Sequence, residues 1–269
     1  MSDESRMTPE AIRAFLTGES PGFDHQRRIF RHIPSSPRCK LCAAPFRGFG
    51  ALLLKPAGFG RSAGNPALCM KCTVALRKQG LSGVEIPVTL LFSDVRGSTA
   101  LGERLTPTAF HTFLDFFYRL GTQAIEAYDG IVDKIVGDEV IGLFFGGVSG
   151  PRHQAAAVGA ALHLAKQAAR TDATPSGAIP IGTAVHTGTA YVGGSGPAGV
   201  VEDFTALGDV VNTTARLAAA AGTGEVLISV TAAEAAGTTQ EGAELRTVEI
   251  RGRVEPIEVL VLQPRGVPR

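Results

Sequence analysis

The 269-residue sequence predicts an α+β fold in which a split βαβ sheet carries helices on one face and follows a small four-cysteine module. Three observations point there. Strand-like runs alternate with helical stripes, yet tight hairpins also occur, which counts against a doubly wound parallel sheet. Charge divides the chain: residues 1–80 carry 13 Lys+Arg against 5 Asp+Glu, and residues 81–269 carry 13 against 20. All four cysteines, Cys39, Cys42, Cys69 and Cys72, fall in the basic part.

With 44% hydrophobic and 19% charged residues the chain has the balance of a folded protein rather than a disordered one. No apolar run reaches the ~18 residues of a membrane span, and the start MSDESRMTPE lacks the basic-then-apolar order of a secretory signal. The expectation is a cytoplasmic chain with no membrane partner.

Element by element, Thr8-Pro9 supplies a cap and first-turn proline for a short helix with Ile12, Phe15 and Leu16 at helical spacing. Ile86–Phe92 reads as a strand ending in Ser93-Asp94. Arg96-Gly97-Ser98-Thr99 then leads into a helical stretch. Thr106-Pro107 opens a second helix whose stripe Phe110, Phe113, Leu114, Phe117, Ile125 is core. Ile131–Val136 and Val140–Phe145 form a hairpin around Gly137-Asp138. An alanine-rich helix runs from Pro151 to Arg170, and a further helix from Val210 to Ala221. The remaining strands are Ile179–Val185, Thr189–Val192, Val226–Ser229, Thr247–Ile250 and Ile257–Leu262.

The knuckles Cys39-Lys-Leu-Cys42 and Cys69-Met-Lys-Cys72 stand 26 residues apart in a Gly/Pro-rich stretch with little core of its own. Each CxxC turn can place two thiolates on one ion, so the pair completes a tetrahedral Cys₄ sphere of zinc-ribbon type. Zinc is the leading ligand, ahead of an iron–sulfur cluster, reduced thiols or two disulfides. Arg38, Lys40, Arg47 and Lys71 offset the thiolate charge. The basic excess raises nucleic-acid binding, but Phe46, Phe49 and Phe59 read as a mini-core rather than a stacking platform.

Asp94 at a strand end and Asp138 on a hairpin turn could each face a metal that bridges phosphates; taken singly, Asp94 reads better as a helix cap, and a plain Gly-Asp turn accounts for Asp138 as well. Three segments taken together are more specific. FSDVRGST (92–99), DGIVDKIVGDEVIGLF (129–144) and FTALGDVVNTTARL (204–217) resemble the three signature blocks of class III nucleotidyl cyclases in order and spacing. The resemblance implies a ferredoxin-like split βαβ catalytic domain over 88–264. Before it stand a helical segment (1–33), the cysteine module (34–80) and a linker (81–87); a tail (265–269) follows.

The resemblance further implies an adenylate cyclase that converts ATP to 3′,5′-cyclic AMP and pyrophosphate. Two Mg²⁺ or Mn²⁺ per site would sit on Asp94 and Asp138, and the Cys₄ site would take one Zn²⁺. Lys134 and Thr205 would read the base. In the family, Lys with Thr or Asp accompanies adenine, and Glu with Cys accompanies guanine. A lysine can donate to adenine N1 and a threonine oxygen can accept from the 6-amino group. Asn212 would orient the ribose and Arg216 would stabilise charge on the α-phosphate; the two fall at i and i+4 on one helix face. Arg253 would contact the outer phosphates. Metal carboxylates and the Asn/Arg helix come from different protomers in this family, which implies a homodimer with shared sites. Only 13 residues separate Cys72 from Ile86, too few for a long signalling helix. The competing reading is a nucleotide-sensing regulator whose basic zinc module binds nucleic acid.

Overall fold

The central strand is the one the sequence makes most apolar. In β1 (Val84–Val95) every residue from Val88 to Ser93 is buried, so both faces are covered. The computed structural model describes residues 8–62, 67–78, 83–170, 177–195, 203–238, 243–250 and 255–263. These fall into two units. One draws on Val88–Phe144, Arg152–Gly188 and Gly208–Arg269, the other on Met1–Pro87, Phe145–Pro151 and Thr189–Leu207.

In the first of these, α5 (Ser98–Arg104) and α6 (Pro107–Ala127) lead from β1 to the hairpin β2 (Ile131–Val136) and β3 (Glu139–Phe145); α8 (His153–Ala168) then leads to β4 (Ile181–Ser195). After α9 (Asp209–Ala220) come β6 (Val226–Ser229), α10 (Val230–Ala236), β7 (Glu244–Val248) and β8 (Ile257–Leu262). The strand order is β2-β3-β1-β4-β6-β8-β7. Its first four strands place β1 between β3 and β4, the ferredoxin-like split βαβ order. β4 and β6 pair in parallel, while β2–β3, β6–β8 and β7–β8 are antiparallel.

Helices α6 and α8 close the core over Leu91, Val140, Phe144, Val185, Ile228 and Leu260. On α8 the buried positions are mostly alanines, including Ala157, Ala160, Ala161 and Ala165, and small side chains let a helix approach its neighbours closely. Thr106 caps α6, its Oγ1 accepting from Ala109 N at 3.3 Å. Of the predicted stripe, Phe117 and Ile125 are fully buried, and Phe113 and Leu114 pack partly buried against the core.

Two sequence expectations change here. The strands expected at Ile179–Val185 and Thr189–Val192 form one long strand, Ile181–Ser195, because the chain stays extended through His186-Thr187-Gly188. The strand expected at Thr247–Ile250 lies earlier, at Glu244–Val248, where it pairs residue by residue with β8.

In the other unit, α1 (Pro9–Thr17) buries Ile12 and Leu16, as its spacing predicts. Next come α2 (Pro21–Arg31), α3 (Gly48–Leu54), α4 (Met70–Lys78) and a short helix α7 (Gly146–Ser149), followed by β5 (Asp203–Leu207), which pairs antiparallel with the end of β4. Arg27 donates to the carbonyls of Gly147 (2.8 Å) and Val148 (3.2 Å), satisfying the end of α7. Phe30 meets Phe59 edge-on, with centroids 5.0 Å apart. The three-phenylalanine mini-core is not formed as expected: Phe59 is buried, but Phe49 is 75% exposed on α3.

Candidate active site

The acidic residues meet because two backbone features converge. β1 delivers Asp94 near its end, and Val95 N donates to the carbonyl of Asp138 at 3.1 Å, pinning the β2–β3 turn beside β1. Gly137 in that turn has φ 60°, a left-handed conformation that glycine adopts without strain. Its carbonyl accepts a hydrogen bond from Tyr118 Oη of α6.

The Asp138 carboxyl group lies close enough to Asp94 to bear on its charge. Burial raises the pKa of Asp94 to about 6, Arg96 opposes the rise, and the Asp138 charge adds to it. Glu139 is pushed up to about 7, first by burial and then by Asp94 and Asp138. Arg96 pairs with Asp94 Oδ2 and also donates to the carbonyls of Ala219 (3.0 Å) and Ala221 (3.4 Å) at the end of α9. Asp94 Oδ1 is buried with no hydrogen-bond partner.

That orphaned oxygen tests whether a divalent ion suits the site. A buried carboxylate oxygen without a donor is costly, and three acidic groups facing one arginine leave an excess of negative charge. Hard oxygen donors of this kind fit Mg²⁺ or Mn²⁺. The residues present therefore fit the ion.

The other predicted residues are distributed as follows. Lys134 lies on β2 opposite Ile141, just past a bulge between Val132 and Lys134. One inserted residue reverses the alternation of faces, so the bulge sets the side on which Lys134 emerges. Asn212 and Arg216 are both exposed, one turn apart on α9. Thr205 is 2% exposed on β5, opposite Gly193, in the other unit. Arg253 lies outside the described residues.

The four cysteines converge as their spacing requires, with all sulfur atoms within 4.8 Å of one another and each residue buried. Cys42 Sγ and Cys69 Sγ are 3.6 Å apart, close to the ~3.8 Å edge of a tetrahedron with ~2.3 Å Zn–S bonds. Cys69 N donates to Cys39 Sγ (3.2 Å) and Cys72 N to Cys69 Sγ (3.4 Å), bonds that favour thiolates. Hydrogen bonding by Cys42, then by Cys69 and Cys72, draws the Cys39 pKa far down. Cys69 is lowered as well, while Cys42 and Cys72 are driven up by their sulfur neighbours, so thiolates on some of the four form at the expense of the others, a charge that a cation among them would relieve. The cysteines form no disulfide.

Of the nearby cations, Arg38 is committed elsewhere, donating to the carbonyls of Phe30 (2.6 Å) and Ala43 (3.2 Å) and also to that of Ile33. Lys71 sits 4.7 Å over the Phe59 ring.

Sequence reasoning did not assign Arg96, Glu139 or Tyr118 to the site. Arg96 stands two residues after Asp94, in the turn that follows β1. Glu139 follows Asp138 directly. Tyr118 is one residue after the buried Phe117 and carries no sequence signal of its own.

Comparison with known proteins agrees with this geometry. Residues 84–263 match the model of the adenylate and guanylate cyclase catalytic domain. An adenylate cyclase of Anabaena cylindrica is 30% identical over 148 residues, covering 52% of this chain and 29% of the relative. Adenylate cyclase 1 of Rhizobium meliloti is 31% identical over 136 residues, 48% of this chain and 20% of the relative. The chain thus spans less than a third of the length of these two relatives. Among solved structures, the guanylyl cyclase Cya2 gives a TM-score of 0.61 at 27% identity, covering 66% of this chain and 92% of that one. The adenylyl cyclase CyaB from P. aeruginosa gives 0.59 at 27%, covering 69% and 98%. A sheet in ferredoxin-like order, paired acidic groups at the β1 end and a family match over most of the chain lead to one conclusion: the chain belongs to the adenylate and guanylate cyclase catalytic domain family.

Proposed function

We propose that the chain is an adenylate cyclase that converts ATP to 3′,5′-cyclic AMP and pyrophosphate at sites shared between two copies, under the control of its cysteine module (34–80). The observation that carries the reading is the partly buried Asp94 beside Asp138, with an orphaned carboxylate oxygen on Asp94. In the reaction the ribose 3′-oxygen bonds to the α-phosphorus and the bond from that phosphorus to pyrophosphate breaks. Divalent ions held by Asp94 and Asp138 supply acidification of the 3′-hydroxyl and neutralisation of phosphate charge.

The chain's own groups do the rest. Arg96 holds Asp94 in place by pairing with its outer oxygen while anchored on α9 carbonyls, so it acts as a positioning residue. Arg216 offers a planar fork to the α-phosphate oxygens, and Asn212 orients the ribose. Their exposure on α9 supports a role toward a second copy, whose carboxylate pair would complete each site. Lys134 donates to adenine N1 and Thr205 accepts from the 6-amino group. A mismatched base leaves a buried polar group unpaired at ~1–3 kcal/mol per contact, which favours ATP over GTP. The adenylate cyclases among the relatives support this base choice. Zinc fits the Cys₄ site, where it would tie the two knuckles together.

The test is cyclic nucleotide formation by purified protein from ATP or GTP with Mg²⁺ or Mn²⁺. Cyclic AMP from ATP is expected, and preferential formation of cyclic GMP would overturn the base assignment. The double variant Lys134→Glu, Thr205→Cys should lose ATP turnover about tenfold or more. Unchanged ATP preference in that variant would remove both residues from base reading.

A further inference from the structure

The most unusual surface among the described residues lies on α3, whose sequence is GFGALLL. Phe49, Leu52 and Leu53 are 75%, 70% and 62% exposed. At 100° per residue they share an arc of about 100° on one side of the helix. The opposite side is the one that packs. A Cβ at Gly50 would lie 2.4 Å from Ile33 Cγ2 and 3.3 Å from Pro45 Cγ, so any side chain there would have to displace Ile33. The same seating turns the phenylalanine and both leucines outward.

The charge of the surrounding sequence has one sign. From His25 to Val84 the sequence holds 11 Lys+Arg and no Asp or Glu. Arg47 directly precedes α3 and the exposed Lys55 directly follows it. Exposed aliphatic and aromatic side chains framed by cations match the interface of an anionic bilayer, where apolar groups enter the acyl boundary and cations meet phosphates. Nucleic acid would satisfy the cations but offers leucines no partner, since stacking on bases needs a flat ring.

We propose that the α3 face of the cysteine module docks on anionic phospholipid membranes, inserting Phe49, Leu52 and Leu53 with Arg47 and Lys55 at the headgroups. The chain then meets the bilayer surface through this face, in contrast to the sequence expectation of no membrane partner, which rests on the lack of a long apolar run. This assignment does not depend on cyclase activity.

The test uses the 269-residue chain, loaded with zinc, sedimented with vesicles of phosphatidylcholine alone or of phosphatidylcholine mixed with phosphatidylglycerol. Binding to the anionic vesicles alone, weakened by salt, is expected. The triple variant Phe49→Ser, Leu52→Ser, Leu53→Ser should lower partitioning about tenfold or more, and Arg47→Gln or Lys55→Gln roughly fivefold each. The chain has no tryptophan, so Phe49→Trp gives a single reporter whose emission should shift blue on anionic vesicles only. No partitioning and no shift would overturn the proposal. So would equal partitioning into both vesicles, retention on DNA unaffected by the triple variant in place of vesicle binding, or loss of a dimer in light scattering as that variant's sole effect.

Discussion

The cysteine module and the sheet unit solve the same problem, holding a site together, by opposite means. The sheet unit buries large apolar side chains on both faces of β1 and so can tolerate Asp94, Asp138 and Glu139 crowded at one edge. Among its described residues the cysteine module buries few large side chains, Leu41, Phe59 and Leu68, and draws its four sulfurs together. Burial stabilises the first, and under the proposed zinc assignment ligation would stabilise the second. Each region should therefore fail under conditions that spare the other.

The largest effect expected is on the cysteine side. Cys42→Ser or a strong chelator should unfold residues 34–80, since structural zinc supplies ~10 kcal/mol or more to such modules. Protease cleavage within 34–80, with the sheet unit's melting transition retained, is the outcome to measure. Loss of both transitions together would break the comparison. Next comes the acidic edge, where Asp94→Ala or Asp138→Ala should cut cyclic nucleotide formation about 10²–10³-fold without unfolding the sheet unit. Full activity in either variant would remove that residue from the reaction.

Two smaller effects depend on pH and have opposite signs. His153 is buried, its Nδ1 2.9 Å from Thr89 Oγ1, and burial lowers its pKa to about 4. The unfolded chain then binds more protons between about 4 and the ordinary ~6.5, so stability falls as pH drops through that window, by about 3 kcal/mol in all. His153→Gln should flatten this acid limb in urea melts; an unchanged limb would mean another group sets it. Glu139 behaves in reverse. With its pKa raised to about 7 by burial and its acidic neighbours, the folded state binds more protons, and stability falls as pH rises from ~4.3 to 7. In metal-free buffer at pH 8, Glu139→Gln should gain about 1–2 kcal/mol after allowance for solvent screening, and the gain should vanish near pH 4. A loss of stability instead would show that the Glu139 carboxylate is paid for by a partner.

Exposure on the cysteine side shows where residue patterns mislead. Phe46, Phe49 and Phe59 share one stretch and one residue type, yet Phe59 meets Phe30 while Phe49 faces out. Which phenylalanine is buried depends on Gly50 seating against Ile33 and Pro45, a contact between segments that no local period encodes. In the same way, two short apolar runs divided by His186-Thr187-Gly188 read as separate strands, whereas pairing with β6 and β5 along its length keeps β4 continuous.

The sequence by itself determined the elements with strong periods and sharp punctuation: α1 behind Thr8-Pro9, α6 behind Thr106-Pro107, the hairpin around Gly137-Asp138, and the two CxxC knuckles. It also marked Asp94, Asp138, Asn212 and Arg216, because those residues stand inside motifs whose spacing is local. Only the tertiary structure decided that Arg96 reaches from Asp94 to the end of α9, that Glu139 joins the acidic edge, and that a bulge sets the side from which Lys134 emerges. The reason is physical: periods of 2 and 3.6 and turn chemistry act over a few residues, whereas charge crowding and burial depend on which distant segments the sheet brings together.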